Sequence, residues 1–201
     1  MRSVIRRFRR LGIARRNPTN KPPRRVQGEN SVSVTVDVPI DAVWQVVSDV
    51  TRIGEWSHEC VGASWLKGAT SATPGARFRG RNRAGLLRWG RVSEIVSVEP
   101  YELVWRTVPT LFFPDSSQWH LALEQLDGAT RISQRYQMLH EPKLLFVLYA
   151  LVVPAHRDRT AALVCDLQRL GAVADKVTST RSNSATVSPV RQLRRPHAPT
   201  S

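Results

Sequence analysis

The chain has 201 residues, a hydrophobic fraction of 41% and a formal net charge of +14, which fits one domain with extensions and enough apolar content for a core. The charge is unevenly placed: residues 1–30 carry a net of +9, residues 178–201 a net of +4, and residues 31–177 only +1. That distribution argues against a basic groove built into the folded part, so nucleic acid is not an expected partner of that part.

In chain order, Val4, Ile5, Phe8 and Leu11 share one helical face, and Arg2, Arg6, Arg7, Arg9 and Arg10 surround them. Two readings stand for residues 1–30: a basic amphipathic helix on an anionic membrane, or a disordered arm. Pro18, Pro22 and Pro23 mark the rest as linker. The expected domain spans 31–177. It opens with a strand at Ser31–Val38, where four valines alternate with Ser33, Thr35 and Asp37. A short helix after Pro39 carries Ala42, Val43, Val46 and Val47 on its inner face, and a second is expected at Val50–Trp56 with Asp49 or Thr51 as its cap.

Six further strands follow, at Val61–Leu66, Ala76–Arg83, Leu87–Val98, Tyr101–Val108, Ser116–Leu126 and Ala129–Leu139, with turn residues between them. In the third strand Arg77, Arg79, Arg81 and Arg83 fall on one face. No aromatic is interleaved with them for base stacking, so they read as a solvated outer face. Gly90 is expected to mark a bend or bulge in the fourth strand. The apolar run Leu144–Val153 is too short to span a bilayer, which takes about 20 residues. It is expected to form a helix at the mouth of the fold.

The longest helix is expected over Ala155–Val177, with Ala162, Leu163, Leu167, Leu170 and Val173 on its apolar face. Arg159, Asp166, Arg169 and Asp175 are expected to stay in water. A sheet with one apolar face needs a cover, and this is the helix long enough to provide it. The fold class is therefore α+β: a curved antiparallel sheet closed over a long C-terminal helix, with two short helices after the first strand. Residues 178–201, rich in Ser, Thr, Pro and Arg, read as a disordered tail.

The chemistry-bearing residues are few. Cys60 and Cys165 have no CxxC spacing and are expected as two buried thiols in a reducing compartment. Five scattered histidines form no ligand cluster, so neither metal nor other cofactor is expected. No secretory signal is evident at the N-terminus, and a cytoplasmic location is expected, with a peripheral site on the inner membrane surface as an option. There are six tryptophans. A cavity for a hydrophobic ligand is lined by such groups together with a few polar ones. The expected lining is Phe78, Trp89, Trp105, Trp119, Tyr136, Leu163 and Leu167. Candidate polar groups are His58, Asn82, Arg91, His120, Gln134 and Tyr136. His120 is out of step with Trp119 and so faces outward, and His58 reads as an exposed loop histidine. No Ser-His-Asp order and no Gly-rich phosphate loop occur, so no catalytic residue is assigned.

The ordered set of stretches resembles the SRPBCC superfamily, also called START-like or helix-grip, of the polyketide cyclase/dehydrase and lipid-transport type. VSVTVDVPIDAVWQVVSDVTRIGEWSHE is similar to its opening, GARFRGRN with WGRVSEIVSVEPYELVWR to its central strands, SSQWHLALEQLDGATRISQRY to its late hairpin, and RTAALVCDLQRLGAVAD to its closing helix. The resemblance implies a sheet of about seven strands around the last helix, with an elongated apolar cavity between them. It also implies a hydrophobic ligand, such as a lipid or a polyketide-like metabolite. The expected function is binding or transport of that ligand without catalysis, with access gated by the 50–60 and 109–115 loops. Two alternatives remain: a polyketide cyclase/dehydrase (aromatase), which would need an inward-facing His/Tyr/Arg set, and a membrane- or RNA-associated accessory protein attached through the Arg-rich arm.

Overall fold

A computed structural model of the protein describes residues 26–186. The expectations for the arm before Val26 and for the tail beyond Thr186 fall outside the described residues. Seven strands form one antiparallel sheet: β1 (Glu29–Val36), β2 (Cys60–Trp65), β3 (Arg77–Ala84), β4 (Leu87–Glu99), β5 (Glu102–Thr107), β6 (Ser116–Gln125) and β7 (Thr130–His140). Their spatial order is β1-β7-β6-β5-β4-β3-β2. The crossing from β1 to the far edge is made by α1 (Ile40–Val47) and a 3₁₀ helix at Val50–Glu55, whose cap is Asp49 accepting the Thr51 amide. The C-terminal part holds α2 (Lys143–Val152) and α3 (Thr160–Thr186).

The alternation in the strands places Phe78, Ile95, Leu103, Trp105, Leu121, Ile132 and Tyr136 on the inner face, all buried. The buried face of α3 is Leu163, Leu167, Leu170 and Ala174. Each leucine contributes about 1.5–3 kcal/mol on burial. Gly171 lets α3 approach β1 closely: a Cβ there would lie 2.5 Å from Val36 Cγ1. Position 101 is backbone-strained: Tyr101 has φ 63° in the β4–β5 turn, and its hydroxyl donates to Asp41 Oδ1 at 2.7 Å.

Several expectations are corrected. The long helix begins at Thr160, not Ala155: Pro154–Arg157 form a 3₁₀ turn, and the Asp158 carboxylate accepts the Thr160 amide to start α3. It also runs beyond Val177 to Thr186. There the Thr178 and Thr180 hydroxyls donate to the carbonyls of Ala174 and Lys176, which lets them sit in a helix. The fold starts before Ser31, since Val26 is buried, and the first strand runs Glu29–Val36 and so stops short of Val38. The bulge in β4 falls between Ile95 and Ser97, whereas Gly90 pairs in register with Arg81. Cys165 is exposed and only Cys60 is partly buried; both are free thiols. Asp166 and Arg159 are not solvated charges, for reasons that belong to the cavity.

The strand lengths open the sheet at one place. β4 pairs with β3 through Leu87–Glu94 but with β5 only from Ser93 onward. The 109–115 loop follows β5 past this uncovered stretch, and Val108 N–H donates to Val92 O at 2.8 Å.

Candidate functional site: an aromatic cavity under the sheet

Between the sheet and the start of α3 lies a cavity of about 450 Å³. One cross-strand row builds its floor. Trp105, Trp119 and Tyr136 stand opposite one another on β5, β6 and β7. The indoles are stacked 6° from parallel with centroids 6.2 Å apart, and Tyr136 stacks on Trp119 at 4.9 Å. Phe78 from β3, Trp89 from β4 and Leu163 from α3 complete the expected walls. Leu167 is the exception: it is fully buried in the core and does not reach the cavity. One helical turn beyond Leu163, it packs where α1 and the sheet already close on α3.

The polar groups of the wall are arranged in small closed sets. Thr107, Ser116 and Ser117 bond among themselves, because the bulge at Ser116/Ser117 turns both serines inward. Trp119 Nε1 donates to Ser117 Oγ at 3.2 Å. Arg91 Nη1 reaches both carboxylate oxygens of Asp115 at 2.8 and 3.0 Å, and its guanidinium lies over the Phe113 ring. This pair ties the 109–115 loop to β4.

A second ionic set stands at the junction of the 3₁₀ helix, β2 and α3. Glu59 accepts from His156 Nε2 at 2.8 Å and faces Arg159 at 3.4 Å. Burial alone would push the Glu59 carboxyl up, but the Arg159 charge and the His156 hydrogen bond outweigh it and hold it at about 2. Arg159 also covers the Tyr136 ring, which explains why it leaves the solvent. Asp166 is 2% exposed. It accepts the His58 amide and His58 Nδ1, the latter at 2.6 Å, and pairs with Arg169.

His58 is therefore a wall residue held from α3 rather than a loose loop histidine. His120 does face outward, toward Glu102. Asn82 and Gln134 both line the cavity. Gln134 is 4% exposed, and its Oε1 has no hydrogen-bond partner among the described residues. Trp56 is a further buried lining residue that, like Ser117, Asp115 and Asp166, carries no periodic signal in the sequence. The sequence signal for Trp56 was its place at the end of a capped short helix. For the others the signal lay in bulges and long-range pairs, which have no local pattern.

Residues 27–181 match the family described as polyketide cyclase / dehydrase and lipid transport. The chain belongs to this family. Its sheet wrapped on α3 is the helix-grip fold of the SRPBCC superfamily. Solved structures share it at low identity. The Zhui aromatase/cyclase from Streptomyces sp. R1128 is 17% identical, with a TM-score of 0.56 over 74% of this chain and 93% of that one. The protein TTHA0849 from Thermus thermophilus is 10% identical, with a TM-score of 0.57 over 74% of this chain and 98% of that one. Ginseng major latex-like protein 151 from Panax ginseng is 10% identical, with a TM-score of 0.52 over 72% of this chain and 95% of that one. No curated protein is matched. Family and fold together indicate either hydrophobic-ligand binding or chemistry of the polyketide cyclase/dehydrase type.

Proposed function

We propose that the protein binds, and carries, a hydrophobic small molecule in the cavity without transforming it. The observation that supports this most is the pairing of an aromatic floor with ionisable wall groups that are already engaged. Arg91 is held by Asp115, Glu59 by His156 and Arg159, and Asp166 by His58 and Arg169. Burial, partly offset by the Arg159 charge, pushes the Tyr136 hydroxyl up to about 12, and that hydroxyl donates to the Gln27 carbonyl. It stays neutral and bonded near neutral pH. Burial also pushes the Cys60 thiol up, away from a reactive thiolate. The ligand site consists of Phe78, Trp89, Trp105, Trp119, Tyr136 and Leu163, where burial of ligand apolar area supplies about 25 cal/mol per Å². Gln134 provides the polar contact that orients the ligand.

One observation favours the enzymatic alternative, a cyclase/dehydrase. His58 is oriented by a buried carboxylate, and its Nε2 makes no hydrogen bond among the described residues. Such a group can move a proton. Titration with fatty acids, sterols and aromatic polyketides, followed by tryptophan emission, separates the two. The binding reading predicts a saturable change and recovery of the ligand unaltered. A dehydrated or cyclised product that disappears in His58→Ala would establish the enzyme instead.

A further inference from the structure

The cavity mouth carries an apolar rim that the fold leaves in water. Three separate elements line it, and each supplies a lining residue and an exposed neighbour. Leu87 lines the cavity and Leu86 beside it is fully exposed. Phe113 lines it, while Leu111 and Phe112 are 92% and 83% exposed. Val152 lines it, and Leu151 on the same helix is 64% exposed. Isolated exposed leucines are ordinary, but apolar side chains clustered on three elements around one opening mark an interaction surface.

The surroundings of this rim are cationic. From Ala76 to Val92 the β3–β4 hairpin holds six arginines and no carboxylate. Arg79, Arg81, Arg83 and Arg88 are exposed. A shallow recess on the outer face joins Phe112 to Arg79, so the apolar tip and the arginine stripe adjoin. The N-terminal chain enters the fold at the same place: Val26 packs on Ala150 of α2, and Gln27 N–H donates to His156 O. The 25 residues before Val26 contain ten basic residues and no acid. No helix among the described residues is long and apolar enough to cross a membrane.

We infer that the mouth is a docking face for an anionic lipid bilayer, with Leu86, Leu111, Phe112 and Leu151 entering the interface and the arginines meeting lipid phosphates. Apolar groups backed by cations are the composition that binds such a surface. A bilayer also accounts for the position of the patch, because docking there would set the cavity opening against the lipid phase. A single-stranded RNA would use the arginines and stack on Phe112, but gives no role to the exposed leucines Leu86, Leu111 and Leu151. The inference concerns a surface and does not depend on which molecule the cavity holds.

The test uses the full chain, sedimented with phosphatidylglycerol/phosphatidylcholine vesicles or with phosphatidylcholine alone. The variant is Leu86→Ser/Leu111→Ser/Phe112→Ser, whose folding is checked by its melting curve, since these exposed sites carry no core contact. Wild type should bind the anionic vesicles and lose about tenfold or more in partitioning when the three tips are removed, with every arginine intact. Amides of 85–88 and 110–113 should exchange more slowly in the presence of anionic vesicles. Equal partitioning of wild type and variant, with no added protection, would overturn the inference and leave the arm as a purely electrostatic tether. Preferential binding of an RNA oligonucleotide that vesicles do not displace would overturn it as well.

Discussion

Asp166 Oδ2 lies 2.6 Å from His58 Nδ1, and the other oxygen of the same carboxylate accepts the His58 amide at 2.8 Å. One nearly buried side chain on α3 thereby fixes the segment between the 3₁₀ helix and β2, which forms one wall of the cavity. Asp166→Ala leaves the amide and the imidazole without their acceptor and should cost about 2–4 kcal/mol. For a chain of this size that lowers the melting temperature by on the order of 10 °C. Thermal unfolding measures it; a loss no larger than that of an exposed substitution such as Asp175→Ala would show that the contact carries no stability.

Glu59 gives the protein an acid-sensitive window. Its folded pKa of about 2 lies below the ordinary value of 4.5, so the folded state favours the carboxylate. The stability it contributes is present above pH 4.5 and is lost as pH falls through that value toward about 2. The size is on the order of 3 kcal/mol. Denaturant unfolding of wild type and Glu59→Gln across this range should show a difference that narrows as the pH drops. A gap of constant size would mean that Glu59 does not titrate as described.

Gln134 separates stability from binding. Its Oε1 is buried and has no hydrogen-bond partner among the described residues, and such an acceptor costs about 1–3 kcal/mol. Gln134→Leu keeps a similar volume and removes that cost. The variant should be at least as heat-stable as wild type yet bind a ligand bearing a hydrogen-bond donor more weakly, by about tenfold for a single lost bond. Paired melting and titration experiments read both effects. A destabilised variant with unchanged affinity would assign Gln134 to the core and not to the ligand.

Gly171 sits inside α3, where alanine would ordinarily be favoured by about 1 kcal/mol. The 2.5 Å approach of its missing Cβ to Val36 reverses that preference. Gly171→Ala should therefore destabilise the protein, and Val36→Ala should recover part of the loss. An additive double mutant would show that helix and strand do not meet there.

Much of the fold was legible because period-two and helical spacing are local. The strand valines Val32, Val34 and Val36, the row of inner residues on each late strand, and Leu163 to Leu170 all followed from pattern alone. Boundaries moved where capping overrode periodicity, as at Asp158, or where threonine hydroxyls bonded back into the helix past Val177. The cavity lining was legible in its aromatics and not in its charges. Trp105, Trp119 and Tyr136 could each be assigned an inward face, but their stacking in one row depends on register. Asp166 looked like a solvated position on α3 because its partner, His58, is 108 residues away. Leu167 shares the helical face of Leu163, and only the tertiary packing separates cavity wall from core.

We propose an aromatic cavity that holds a hydrophobic ligand and leaves it unchanged. The most direct measurement is mass spectrometry of the purified protein, first native and then after denaturation and extraction. A hydrophobic species at near one per chain, released on unfolding and reduced in Trp119→Ala, is the expected result. An empty cavity in the native spectrum, together with no tryptophan response to any member of the lipid and polyketide panel, would contradict it.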